Sequence, residues 1–272
     1  MPLGRIGIWR RRQDGADALA ELEALGFGAL WVGSSPSLEH VRPFLERSTT
    51  LTIATGILNV WQHEPADVAE QHAELAREFP GRFLLGIGIG HPEATAEYTS
   101  PLARMGAFFD GLDAAAHPVP RDERVAAALG PKMLELAAQR SLGAHTYFVT
   151  PEHTRFAREQ VGPDALVAPE LAVVVETDDE VARAAARAYA ALYLGLRNYT
   201  SNLLRFGFTE RDVADGGSDR LIDAVIPHGS AEAIADTVRA HLDAGADHVA
   251  LQPLGHGGAP VADYEALAAA LL

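Results

Sequence analysis

Gly86, Gly88 and Gly90 alternate along Arg82-Phe83-Leu84-Leu85-Gly86-Ile87-Gly88-Ile89-Gly90, and His91-Pro92 closes the run. Glycine at every second position leaves one face of a strand without side chains, so another backbone or a flat ligand can lie close against it. The apolar residues between them suit a strand covered on both faces, as in a parallel sheet. His91 stands at the strand's C-terminal end, where parallel α/β folds carry their chemistry. A histidine there could move a proton near neutral pH, or it could simply hydrogen-bond the backbone at the strand end. Gly-x-Gly-x-x-Gly is not met, and His-Pro follows where a dinucleotide-binding helix should begin. With no cysteine in the chain, thiolate metal sites and disulfides are excluded. His117, His153, His228, His241, His248 and His256 show no metal-ligand spacing, and His72 reads as structural on a helix face. No metal is expected.

The elements that must hold this strand alternate between two periods. Strands are expected at 5–9, 27–32, 51–60, 82–90, 125–129, 145–149, 171–175 and 246–253, with helices between them. Helix signals are local: Gly26 after Leu25, Pro65 and Pro131 at first positions, and a capping box over Thr177–Glu180. The helix after that box should bury the stripe Val181, Ala185, Ala188, Leu192 and Leu196. Eight strand–helix units point to an α/β fold, a (β/α)₈ TIM barrel in one domain spanning 1–272, with a helical insertion between strands seven and eight at about 190–229.

At 48% hydrophobic and 272 residues, the chain has material for such a core. A formal charge of −15 argues against nucleic acid or an anionic membrane as partner. No apolar run reaches membrane-spanning length, and the first residues do not form a signal peptide, so a soluble cytoplasmic protein is expected. One lysine, Lys132, among many arginines and alanines is the bias of a high-GC genome.

Ala54-Thr55-Gly56-Ile57, His63-Glu64-Pro65 and Pro80-Gly81-Arg82-Phe83-Leu84-Leu85-Gly86-Ile87-Gly88 resemble the bacterial-luciferase-like superfamily, and Leu129-Gly130-Pro131, Gly143-Ala144-His145 and Ala244-Gly245-Ala246-Asp247-His248-Val249 look like its later strands. Leu129 to Ala137 and Thr150 to Thr154 are similar to short actinobacterial members of the branch that uses the deazaflavin coenzyme F420. The resemblance implies hydride transfer between that coenzyme and a small-molecule substrate, in a homodimer joined by the helices near strands two to four. It implies a non-prolyl cis peptide at Gly56-Ile57 supporting the ring, where an ordinary strand end is the other reading. Thr55, Asn59, Gly88, Gly90 and Ser34 would lie about the ring. Leu129, Gly130, Pro131, Ala144, His145 and Thr150 would hold the coenzyme tail, helped by Lys132 or by Arg155, Arg197, Arg205 or Arg220. His40, Trp61 and His63 would face substrate, although Trp61 could equally pack against its neighbouring loop. Two departures stand out: Ser34-Ser35 replaces the branch's Asp-His pair, and His91 replaces a proton-accepting glutamate, which leaves His91 as the catalytic candidate. FMN with oxygen chemistry and a non-catalytic flavin-binding barrel are the alternatives.

Overall fold

A computed structural model describes residues 3–94, 98–255 and 260–272. Eight parallel strands close a barrel: β1 (Ile6–Arg11), β2 (Ala29–Gly33), β3 (Thr52–Thr55), β4 (Phe83–Gly88), β5 (Arg124–Ala127), β6 (Gly143–Thr146), β7 (Leu166–Val175) and β8 (Val249–Pro253). Each pairs with its sequence neighbour, and β8 closes the ring against both β1 and β7. This is the expected (β/α)₈ arrangement. Short pieces at Leu58–Asn59 and His228–Gly229 extend the ladder beside β4 and β7.

The helices are α1 (Leu19–Leu25), α2 (Leu38–Arg47), α3 (Pro65–Glu78), α4 (Pro101–Ala114), α5 (Pro131–Arg140), α6 (Pro151–Val161), α7 (Asp179–Leu194), α8 (Arg197–Arg205), α9 (Glu210–Val213), α10 (Asp219–Val225), α11 (Ala231–Asp243) and α12 (Val261–Leu271). Proline opens α3, α4, α5 and α6. Its fixed φ suits the first turn, where the missing N–H has no helical partner anyway. No helix among the described residues is long and apolar enough to cross a membrane.

Inside the barrel, Trp31 is fully buried and is accommodated because its neighbours are small: Ala29, Ala54, Ala168 and Ala250 belong to the same cluster. A larger aliphatic shell fills the space between strands and helices, and a separate cluster sits beneath α7 to α10.

Three expectations need correction. The third strand is not continuous from 51 to 60; it breaks at Gly56–Ile57 into β3 and the Leu58–Asn59 piece. The cap of α7 is not a Thr177–Glu180 box: Asp178 accepts from the Glu180 and Val181 N–H groups, an acidic cap one residue further on. The stripe assigned to the buried face of α7 is also wrong. Ala182, Ala186 and Ala190 are buried, while Val181 and Leu192 are 54% and 65% exposed. The small side chains let the helix settle on the barrel, which turns the larger ones outward.

Candidate functional site

A cavity of about 1010 Å³ opens at the C-terminal ends of the strands. Of the residues assigned from the sequence to catalysis, coenzyme or substrate, Ser34, Gly56, Ile57, Asn59, Gly90, His91 and His145 line it. The others do not, for identifiable reasons.

One wall is built by β3 and β4. The Gly56–Ile57 peptide is cis. The alternating glycines serve this turn of chain, which answers what their bare face meets: a backbone and its side chains, with the ligand space one layer further in. A Cβ on Gly86 would lie 1.9 Å from the Thr55 carbonyl oxygen, and one on Gly88 would lie 2.5 Å from Ile57 Cδ1. One on Gly90, at φ +63°, would lie 2.9 Å from Asn59 Nδ2. Thr55 is therefore a strand tie: its hydroxyl donates to the Gly86 carbonyl and accepts the Gly86 N–H, both at 2.7 Å. Gly88 is covered by Ile57, so neither Thr55 nor Gly88 reaches the cavity. Asn59 does, with its Oδ1 accepting the Trp61 N–H at 3.1 Å and its amide nitrogen left to donate.

The expected substrate residues lie elsewhere. His40 is exposed, because its Nδ1 is held 2.8 Å from Ser37 Oγ at the start of α2. Trp61 packs against the neighbouring segment after β4, donating to the Ile89 carbonyl at 2.8 Å beneath the Arg104 guanidinium. His63 is half-buried outside the cavity, and burial lowers its pKa. His91, at the rim, lies 3.1 Å from Asn198 Oδ1 by its Nδ1 and 5.4 Å, ring to ring, from Tyr199. Burial lowers its pKa, against the pull of Asn198 and Glu93.

The assigned tail residues divide in the same way. Ala144 is buried in the core, and the Leu129 carbonyl is taken by His153 Nε2 at 3.0 Å. Thr150 caps α6. Gly130 and Pro131 start α5 outside the cavity, facing Arg205, whose guanidinium lies 4.0 Å from where a Gly130 Cβ would be. Lys132 shares that exposed turn; Arg197 is hydrogen-bonded through its N–H to Glu93, and Arg220 pairs with Asp212. His145 alone of the set turns inward. It stacks on Trp31 at 4.1 Å and donates from Nδ1 to the Ala168 carbonyl at 2.7 Å, so its Nε2 is a buried nitrogen without a partner. Burial draws its pKa down to about 4, which keeps it neutral.

The opposite wall was not foreseen. Tyr147, Tyr189, Tyr193 and Gln252 line the cavity and share hydrogen bonds. Tyr147 Oη lies 2.7 Å from Tyr189 Oη and 3.0 Å from Tyr193 Oη. Behind them Glu170 is fully enclosed, with Tyr189 donating to its Oε1 at 3.3 Å. Burial raises its pKa to about 8. The misassigned stripe belongs here too: Ala185, Ala188, Leu192 and Leu196 roof the cavity. The available signals were parity of Tyr147 with His145, and the i, i+4 spacing of Tyr189 and Tyr193 on α7. Among the described residues, no group of three or more His, Asp or Glu is placed to hold a metal; His256 lies outside those residues.

Residues 10–110 match the luciferase-like monooxygenase family. The curated protein 4-hydroxyprotoasukamycin monooxygenase of Streptomyces nodosus subsp. asukaensis is 33% identical over an alignment covering 33% of this chain, which spans 26% of that protein's length. An F420-dependent secondary alcohol dehydrogenase, solved with an F420–acetone adduct, superposes with a TM-score of 0.76 at 17% identity, covering 100% of this chain and 98% of its own. The coenzyme F420-dependent tetrahydromethanopterin reductase of Methanopyrus kandleri gives 0.73 at 16% identity, over 98% of both chains. The FMN-bound oxygenating constituent of 3,6-diketocamphane monooxygenase from Pseudomonas putida gives 0.65 at 14%, over 98% of this chain and 96% of that one.

Proposed function

We propose that this chain, which matches the luciferase-like monooxygenase family over residues 10–110, is an oxidoreductase that binds a deazaflavin of the coenzyme F420 type and exchanges hydride between it and a small organic substrate. The observation that carries this reading is the cavity at the barrel mouth, bounded on one side by Gly56, Ile57 and Gly90 and by the flat Trp9 indole, whose Nε1 lies 2.7 Å from where a Gly56 Cβ would be. A flat ring fits such a wall. Asn59 would donate to the ring's polar edge, and the unpartnered Nε2 of His145 would accept from it. The anionic tail would leave toward the starts of α5 and α6, at Gly130–Pro131 and Thr150, where first-turn N–H groups after the prolines and the Arg205 guanidinium would meet it. The coenzyme supplies the hydride chemistry. The chain supplies orientation, a partial roof from α7, and a polar contact to substrate from His91. Support for the deazaflavin over FMN comes from the sequence phrases around 129–137 and from the two F420-dependent proteins, whose TM-scores exceed that of the FMN-bound one.

A second reading keeps the site and exchanges the cofactor: an FMN-dependent monooxygenase, favoured by the 33% identity to a monooxygenase. Equilibrium binding of coenzyme F420 and of FMN to the purified protein decides between them. Tight binding of F420 with hydride transfer to or from an alcohol, imine or enone supports the first; preference for FMN overturns it. Binding of either without turnover would make the barrel a carrier. We further propose a homodimer through α2 to α4, to be tested by sedimentation.

A further inference from the structure

Hydride transfer to or from an oxygen-bearing carbon leaves a proton to be accounted for. Asp-His is absent after β2, and His91 sits at the rim with one nitrogen engaged by Asn198. The wall from β6, β7 and α7 offers a larger assembly. Tyr147 touches Tyr189, Tyr193 and Gln252 Oε1; Tyr189 touches Gln252 Oε1 and Glu170 Oε1. Those are five oxygen-to-oxygen contacts, while the three hydroxyls bring three protons. With Glu170 ionised, two of the contacts would lack a hydrogen. A proton on Glu170 supplies a fourth, and the surplus of acceptors lets protons change places along the chain. No arginine or lysine pairs with Glu170; the groups facing it are Tyr147, Tyr189, Tyr193, Tyr199 and the Phe148 N–H. Tyr199 bridges this cluster to His91, its ring 5.3 Å from Tyr193 and 5.4 Å from His91.

We propose that Glu170, reached through Tyr189 and Tyr147, is the internal proton store for the cavity. This rests on the hydride-transfer reading above. In alcohol oxidation the carbon–hydrogen bond breaks with its electron pair going to the oxidised deazaflavin, and the carbon–oxygen double bond forms. In that direction the relay starts from ionised Glu170, the form that alkali populates: the hydroxyl proton passes to Tyr147 Oη as Tyr147 releases its own to Tyr189 and Tyr189 releases its own to the Glu170 carboxylate, which ends as the acid. Carbonyl reduction runs the same shifts backward from the acid that stands at neutral pH, and the carboxylate left behind regains its proton from solvent. Tyr147 is the catalytic group in contact with substrate; Glu170 and Tyr189 act through it.

The test uses the full-length protein with coenzyme F420, comparing wild type with Glu170→Gln and Tyr189→Phe. Coenzyme affinity is expected to change less than about twofold. Single-turnover hydride transfer is expected to slow on the order of 10²-fold, and to lose its alkaline inflection in Glu170→Gln. Infrared difference spectra of wild type against Glu170→Gln should show a carboxylic acid band that persists at neutral pH and disappears in alkali. Coenzyme bound with an unchanged pH–rate profile in both variants would overturn the proton store alone. An ionised Glu170 at neutral pH would do the same. Absence of F420 binding to wild type would overturn the reading it rests on.

Discussion

The two walls of the cavity are made by opposite means. Along β3 and β4 the chain is pressed against itself, with glycines absorbing a carbonyl, an isoleucine and an asparagine, and among the described residues there no titratable side chain but His91 reaches the space. Along β6, β7 and α7, phenols stand in front of an enclosed carboxyl group. One wall sets shape by backbone contact; the other sets protonation by burial. A ring needs the first, and a proton that accompanies hydride needs the second.

Substitution separates the walls. The largest effect is expected from Gly86→Ala, whose Cβ would meet the Thr55 carbonyl at 1.9 Å; backbone cannot swing aside, so about 3 kcal/mol of stability should be lost, read by chemical denaturation. A loss below that of Gly88→Ala would contradict the close-packed wall, since the latter meets side chains, Ile57 at 2.5 Å and Ala127 Cβ at 3.1 Å, and no backbone.

Stability against pH probes the second wall. Burial raises Glu170 to about 8, above its unfolded value, so its contribution is fully present in acid and declines as pH rises toward 8. His72, His145, His153, His241 and His248 are each drawn down to about 4 by burial. Their contribution is present above about pH 6.5 and is lost as pH falls toward 4. The protein should therefore weaken steeply on acidification, by up to a few kcal/mol, and more gently toward pH 8. Glu170→Gln should remove the decline that runs from about pH 4.5 to about 8 in denaturant titrations, and so steepen the histidine-driven loss below about pH 6.5. A slope that survives the substitution would place its origin elsewhere.

Smaller still, His91→Ala should leave coenzyme binding intact and weaken substrate, seen as a KM several-fold higher with kcat little changed. Unchanged KM and kcat would remove His91 from the site.

The difference between the walls also explains how much could be read from the sequence. Residues 55–59 and 86–91 form the first wall within two short stretches, so glycine spacing and the Thr-Gly-Ile turn announced both the barrel's strands and the place where its cavity lies. The second wall draws on 147, 170, 189, 193 and 252, which only barrel closure brings together. Glu170 was hidden inside an apolar strand, where a lone carboxylate has no periodic signature. Prolines at the helix starts were legible because the constraint is carried by the residue itself. The buried face of α7 was not, since alanine contacts depend on which side the barrel approaches.

Arg10 gives the rim a property of its own. Its side chain is buried beside the cavity, and its two terminal nitrogens donate to the main-chain carbonyls of Asp14 and Asp17, at 2.8 Å and 2.6 Å. Both acceptors belong to the main chain, so the contact does not depend on either aspartate side chain. The loop after β1 is thus fastened by a clasp between a side chain and bare backbone, and this lip of the mouth should keep its outline when residues of the loop are exchanged.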